Sequence, residues 1–396
     1  MKMAKKVLQV SPAYYPAISI GGPIFTNLTF SKALVDLGCD VEVLTTTQGL
    51  EPAQIADMLL GISDQSEFSY PIWRFRYFGY SHFTFAPGHI FWLLKHIKRF
   101  DLVVLQAVWN FPIWISYLIC VLYNKPFVVI PHGSIYPETI GLKSSKIKRI
   151  FLAVYVRKML QRASHVLFST YDEKEKVVAF LKLPLRAAIL PNIVDIKPFL
   201  QLPEKGLFRS KYQIKQDAPL LVHYGRVSPK KGIHFVLSCL PKLVSEYPSL
   251  IYVIAGGEDA EYAKLLRDTI NEKGLGAHVI FTGLLNQEDG ISLMRDADVF
   301  VLPSLSENFG MAVVEAMLCE TAVLISDQVG ISSELQAAKC AHVFSSETDG
   351  LLNGLKSLLN DEKLRLTLGL AGAKFAKDNY SEEVVRGQLR PFLMVN

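Results

Sequence analysis

Short apolar runs alternate with longer amphipathic stretches along almost the whole chain, the pattern of parallel strands joined by crossover helices. In the first half, Lys6–Val10, Val41–Thr45, Ile72–Tyr77, Leu102–Gln106, Phe127–Ile130, Val166–Ser169 and Ala188–Leu190 read as strands. In the second half the strands expected are Leu220–Gly225, Ile251–Ala255, Val279–Thr282, Val299–Leu302, Ala322–Ile325 and Ala341–Phe344. Between the halves, Pro191 to Lys215 holds Pro191, Pro198 and Pro203 without a strong period, as a linker does. The fold class expected is α/β: two Rossmann-like, doubly wound domains facing each other across a cleft. The expected divisions are 1–198, 199–376, and a C-terminal helix over 377–396 packing back on the first domain. The longest apolar run, Phe111 to Leu122, is shorter than the roughly 20 residues of a membrane span and reads as a buried helix.

A length of 396 residues exceeds one ordinary core and suits about two domains. With 50% apolar and 20% charged residues, the chain is neither disordered nor collagen-like. Its five cysteines, Cys39, Cys120, Cys239, Cys319 and Cys340, are odd in number and never form a C-x-x-C pair. That predicts neither a disulfide framework nor a zinc site, and suits a reducing cytoplasm. The apolar run after the basic start, Val7 to Val10, is too short for a signal peptide.

Charge changes the picture more. The net charge of +5 conceals an asymmetry, because residues 1–190 carry 21 Lys and Arg against 12 Asp and Glu, and residues 191–396 carry 21 against 25. Much of the excess lies in Lys143 to Ala163, where Ile147, Ile150, Phe151, Val154 and Met159 recur at helical spacing among Lys146, Lys148, Arg149, Arg157, Lys158 and Arg162. Such a stripe suits either an anionic lipid surface or the protein core.

The segment with the most chemistry runs from Phe300 to Met317, FVLPSLSENFGMAVVEAM: an apolar strand, a polar turn and a helix starting near Gly310. Met311, Val314, Glu315 and Leu318 share one face, so Glu315 is a carboxylate on an apolar stripe, which calls for donors. Glu307 and Asn308 lie just ahead of that helix, where free backbone N–H groups make an anion site that needs no metal. Plain helix capping is the alternative for Glu307 and Asn308, and a buried salt bridge is the alternative for Glu315. In Leu221 to Leu237, LVHYGRVSPKKGIHFVL, Arg226 and Lys231 flank a turn at a strand's carboxyl end, where two cations can neutralise a pyrophosphate.

Taken together, S-E-N-F-G-M-A-V-V-E-A-M, with seven residues between Glu307 and Glu315, and G-R-V-S-P-K-K-G resemble the retaining glycosyltransferases of family four, which have the GT-B fold. The resemblance extends through IAGGED (Ile254 to Asp259), PNIVD (Pro191 to Asp195), PHGS (Pro131 to Ser134) and SIGGP (Ser19 to Pro23). It implies an N-terminal acceptor-binding domain and a C-terminal domain that binds a nucleotide-sugar donor. It further implies that Arg226 and Lys231 hold the donor diphosphate with the amides of Asn308, Phe309, Gly310 and Met311. Glu307 would contact the transferred sugar, Glu315 would accept from the ribose, Gly22 would let the backbone approach the phosphate, and His132 would lie near the anomeric carbon. No cofactor and no metal are implied, since the nucleotide sugar is a substrate. The base is expected against backbone groups near Gly283 to Asn286.

The chain departs from the family at Ile193, where glycine is usual. Asp296-Ala297-Asp298 spells a D-x-D metal motif but precedes a strand, and so reads as a helix end. The expected acceptor is a glycan or a polyprenyl-linked glycan, as in polysaccharide or lipopolysaccharide assembly, with peripheral attachment to the inner face of the membrane and no nucleic-acid partner. Two alternatives stay open. A nucleotide-sugar epimerase of the same fold would need acid and base carboxylates and no acceptor, and a non-catalytic binding subunit would be expected to lose Glu307, Arg226 or Lys231.

Overall fold

The computed structural model describes residues 5–59, 68–79, 83–141, 149–345 and 349–393. The chain forms two compact units, one running to Ile193 and including Glu382–Asn396, the other spanning Val194–Ser381.

The first unit is built on a seven-stranded parallel sheet of β1 (Lys6–Val10), β2 (Asp40–Thr46), β3 (Ile72–Phe75), β4 (Leu102–Gln106), β5 (Phe127–Ile130), β6 (His165–Phe168) and β7 (Ala187–Ile189), in the order β3-β2-β1-β4-β5-β6-β7. The second is built on β8 (Leu220–Tyr224), β9 (Ile251–Ala255), β10 (Val279–Gly283), β11 (Val299–Leu302), β12 (Ala322–Ser326) and β13 (His342–Phe344), in the order β10-β9-β8-β11-β12-β13. Every expected strand is present, with ends shifted by at most two residues. Strand order reverses between β1 and β4 in one sheet and between β8 and β11 in the other. Loops at such a reversal diverge to opposite faces and leave a crevice beyond the carboxyl ends of the strands.

Helices cover both faces of each sheet, which is why strands such as β4 and β12 are buried at every position and carry unbroken apolar runs. In the first unit the C-terminal helix Glu382–Leu393 belongs to one of these layers. Its Val385, Leu389 and Leu393 join Phe30, Leu34 and Val43 in one core cluster.

Two expectations are corrected. The helix Phe111–Leu122 is not buried all round: Ile113, Tyr117 and Cys120 face the core, whereas Leu118, Val121 and Leu122 are exposed, because the helix covers the sheet with one face only. The basic segment Lys143 to Ala163 also differs. Its residues 142–148, with Lys143, Lys146, Ile147 and Lys148, lie outside the described residues, and in 149–162 the apolar positions split. Leu152, Val156, Met159 and Leu160 face the core, while Ile150 and Val154 are exposed. Leu152–Val156 is a π turn, which spends more residues per turn and so rotates the apolar positions off a single stripe.

Asp296 and Asp298 are held by protein donors. Asp296 accepts from the backbone N–H of Gly206 and of Arg209, and Asp298 accepts from Leu220 N and the Arg209 guanidinium. Ile193, in PNIVD, is buried in the first unit's core and has no positive φ.

Candidate active site at the carboxyl ends of β8 and β11

Backbone geometry shapes this crevice first. β8, β9 and β10 each end at a glycine with positive φ, Gly225, Gly256 and Gly283. A Cβ on Gly256 would collide with the carbonyl oxygen of Gly225, so the two loops meet only because glycine stands there. Gly232, at φ 68°, works in the same way: its missing Cβ lets the turn Pro229–Lys231 press against the carbonyl of Pro303, just beyond β11. Leu305 N then donates to Lys230 O at 2.8 Å. The loop beyond β11 is tied in turn to the loop after β12, since Glu307 N donates to Gln328 O and Gly330 N donates to Glu307 O.

This lacing sets the side chains. Lys231 Nζ forms a hydrogen-bonded ion pair with Glu307 Oε2, each side chain about one-fifth exposed. Arg226, exposed, lies one residue past Gly225 on the same loop as Lys231. The next helix, Met311–Leu318, is capped by Gly310 in the left-handed region with no side-chain cap bond. Val313 N donates back to Gly310 O at 2.9 Å, and the helix opens beside the ion pair, where the positive end of its dipole favours an anion.

Glu315 lies on that helix, half-buried, with Val314 and Leu318 buried on either side of it. Among the described residues no ion pair reaches it, which removes the buried-salt-bridge alternative. Burial pushes its carboxyl up to about 7, because ionisation there lacks solvating partners. The hydroxyl of Tyr224, the last residue of β8, is pushed up to about 12, first by burial and then by the charge of Glu315. Arg226 and Lys231 thus lie in the loop beyond β8, Glu307 lies in the loop beyond the adjacent β11 and Glu315 in the helix that follows, with Lys231 and Glu307 in direct contact.

Gly22 and His132 belong to the first unit. Gly22 opens the helix Gly22–Asp36 beyond β1, and no protein atom lies within 4 Å of where its Cβ would sit, so packing does not require glycine there. His132 follows β5 with φ 52°, a conformation rarely held by a non-glycine residue. The turn is fixed on all sides: Trp109 Nε1 donates to Ser134 O, and Gly133 N donates to the buried carboxylate of Glu173 at 2.6 Å. His132 Nε2 lies 2.7 Å from Gln106 Oε1, at the end of β4. Burial lowers its pKa to about 4, so the imidazole is neutral at pH 7.

Sequence reasoning missed Gln106, Tyr224 and Glu173. Only Glu173 left a signal, the T-x-x-E capping box begun by Thr170, whose side chain accepts from Glu173 N. Glu173 also accepts from Ser169 N and Oγ. Glu173→Ala would strand these donors, and a loss of about 3–5 kcal/mol in chemical denaturation is expected.

Residues 204–375 match the family model described as Glycosyl transferases group 1, and residues 20–197 match that of Glycosyltransferase Family 4. The chain is a glycosyltransferase of the family-four type. An uncharacterized glycosyltransferase of Methanocaldococcus jannaschii is 26% identical over 65% of this chain and 66% of its own length. A GDP-mannose:cellobiosyl-diphosphopolyprenol alpha-mannosyltransferase of Xanthomonas campestris is 28% identical over 81% and 78%. The glycosyltransferase spans only about half the length of several mycobacterial phosphatidyl-myo-inositol mannosyltransferases that it matches. Anabaena HepE, solved with UDP and glucose, aligns with a TM-score of 0.77 and 19% identity over 98% of this chain and 99% of that one, a likeness of fold. That fold is GT-B. No helix among the described residues is long and apolar enough to cross a membrane.

Proposed function

We propose that the protein is a retaining, metal-independent glycosyltransferase. It moves a hexose-type sugar from a nucleoside diphosphate donor to a glycan or polyprenyl-linked acceptor in polysaccharide or lipopolysaccharide assembly. The observation that carries this reading is the Lys231–Glu307 pair beside the N-terminus of helix Met311–Leu318, with the carboxyl of Glu315 on that same helix held up to about 7 by burial. Cations and amides suit a diphosphate, and carboxylates suit sugar hydroxyls. The Xanthomonas relative, by its name, takes GDP-mannose and a diphosphopolyprenol-linked acceptor. The reaction is placed in the cytoplasm, with the protein held peripherally at the inner membrane face by its basic first half.

In the reaction, the bond from the anomeric carbon to the β-phosphate oxygen breaks and its electron pair stays on that oxygen. The acceptor oxygen bonds to the anomeric carbon on the same face, and its proton passes to the departing phosphate. Lys231, Arg226 and the amides of Phe309, Gly310 and Met311 neutralise a charge that is larger in the transition state than in the ground state. His132, neutral at pH 7, offers a hydrogen bond to the sugar near the anomeric carbon, and Gly22 lets the backbone approach the phosphate.

Thermal unfolding with uridine, guanosine and adenosine diphosphates tests the donor class. The matching base at about a hundred times its dissociation constant should add about 2.7 kcal/mol, with or without a chelator. Failure of all three to raise the transition counts against the reading. Product NMR should show the donor's anomeric configuration kept, and epimerised donor in the absence of acceptor would favour the isomerase alternative.

A further inference from the structure

We infer that the outer face of three neighbouring helices in the first unit is a docking surface for an anionic lipid bilayer. The inference rests on the peripheral attachment proposed above and gives it a location. Helix Phe111–Leu122 is the middle of the three. Helix Gly88–His96 packs along one side of it, and 149–162 packs along the other, where Trp114 stacks on Phe151 at 4.1 Å between ring centroids and Tyr117 meets Tyr155 edge-on. Their inner faces share one core cluster. Their outer faces are apolar where soluble helices are polar: Phe91 is 73% exposed, Leu122 69%, Ile150 63% and Val154 61%, with Leu94 and Leu118 among them. A row of large apolar side chains spread over three adjacent helices marks an interaction surface.

Charge identifies the occupant. The described residues among 76–170, which take in all three helices, hold nine Lys and Arg against two acids, Asp101 and Glu138. Lys95, Lys98, Arg149 and Lys158 are exposed among the apolar side chains. Lysines beside apolar side chains suit a bilayer, where the stems lie along the acyl boundary and the ammonium groups reach anionic headgroups. Protein interfaces, by contrast, are depleted of lysine. A second copy of the chain is disfavoured too, because a two-fold contact would set this positive face against itself.

Co-sedimentation of the full chain with vesicles tests the inference, using phosphatidylcholine alone and phosphatidylcholine with about a third phosphatidylglycerol. Wild type should bind the anionic vesicles and not the neutral ones. The triple variant Phe91→Ser, Leu118→Ser, Leu122→Ser should bind them at least about tenfold more weakly with an unchanged melting temperature. Lys95→Glu with Lys158→Glu should weaken binding by a similar factor at low salt and by less at high salt. No binding by wild type would remove the peripheral attachment itself. Binding undiminished in the triple variant would leave attachment standing and overturn this face as its site. A wild-type dimer in sedimentation velocity that the triple variant dissociates, with vesicle binding unaltered, would assign the face to a second copy and also overturn the inference.

Discussion

Lys231→Ala is expected to lower sugar transfer by about two to three orders of magnitude in kcat while leaving the fold in place. The side chain stands on the turn Pro229–Lys231, which is fixed from below by the contact of Gly232 with the carbonyl of Pro303 and by the bond from Leu305 N to Lys230 O. None of those constraints uses the ammonium group, so its removal does not release the turn. Among the described residues its ion-pair partner is Glu307, and that carboxylate keeps about one-fifth of its side chain in solvent, so losing the ammonium should cost about 1–3 kcal/mol and not unfold the chain. On the proposed reading the pair is a held reserve of charge. A diphosphate at the helix end would give Lys231 a second anion and would free Glu307 to accept from sugar hydroxyls. The measurement is steady-state transfer with donor and acceptor saturating, beside a thermal melt of the empty protein. A variant that transfers within about threefold of wild type would remove Lys231 from the phosphate site, and one that melts far lower would make the pair structural.

How much of this was legible beforehand follows from which interactions leave a local trace. Parallel strands covered on both faces read as unbroken apolar runs, and so β4 or β12 could be placed almost to the residue. The Lys231–Glu307 meeting was legible only as motif. The two residues are far apart in the chain, and what joins them is a missing Cβ at Gly232, whose importance appears only once Pro303 is seen beside it. Gln106 gave no signal because it closes an apolar strand, and its partner is a histidine in the turn that follows the neighbouring strand. Helical stripes misled in a different way. Periodicity showed that Ile150 and Val154 belong to an amphipathic stretch but could not show the π turn that rotates them away from the core. Nor could the apolar run Phe111 to Leu122 show that its middle and end positions would remain uncovered.

Glu315→Gln is expected to move donor binding and stability in opposite directions. The carboxyl is held up to about 7 by burial, above the ordinary carboxylate value of about 4.3, so it binds a proton more tightly folded than unfolded. Its contribution to stability is therefore present at low pH and is lost as pH rises from about 4 to 7. At pH 8 the ionised group costs the fold energy, and glutamine should raise stability there by roughly 1–2 kcal/mol, less than a fully dry site would give, since Glu315 keeps some solvent access. Donor binding runs the other way. A carboxylate accepting from ribose hydroxyls is worth about 1.5–3 kcal/mol more than its loss would leave, so the variant should bind nucleotide sugar about ten- to a hundredfold more weakly at pH 8. In wild type, affinity should fall by up to about tenfold per pH unit below 7, and in the variant that slope should flatten. Calorimetry of an intact nucleotide sugar across pH 5.5 to 8.5 reads the binding and chemical denaturation reads the stability. A merely structural carboxylate would let both fall together, and that result would take Glu315 out of the donor site.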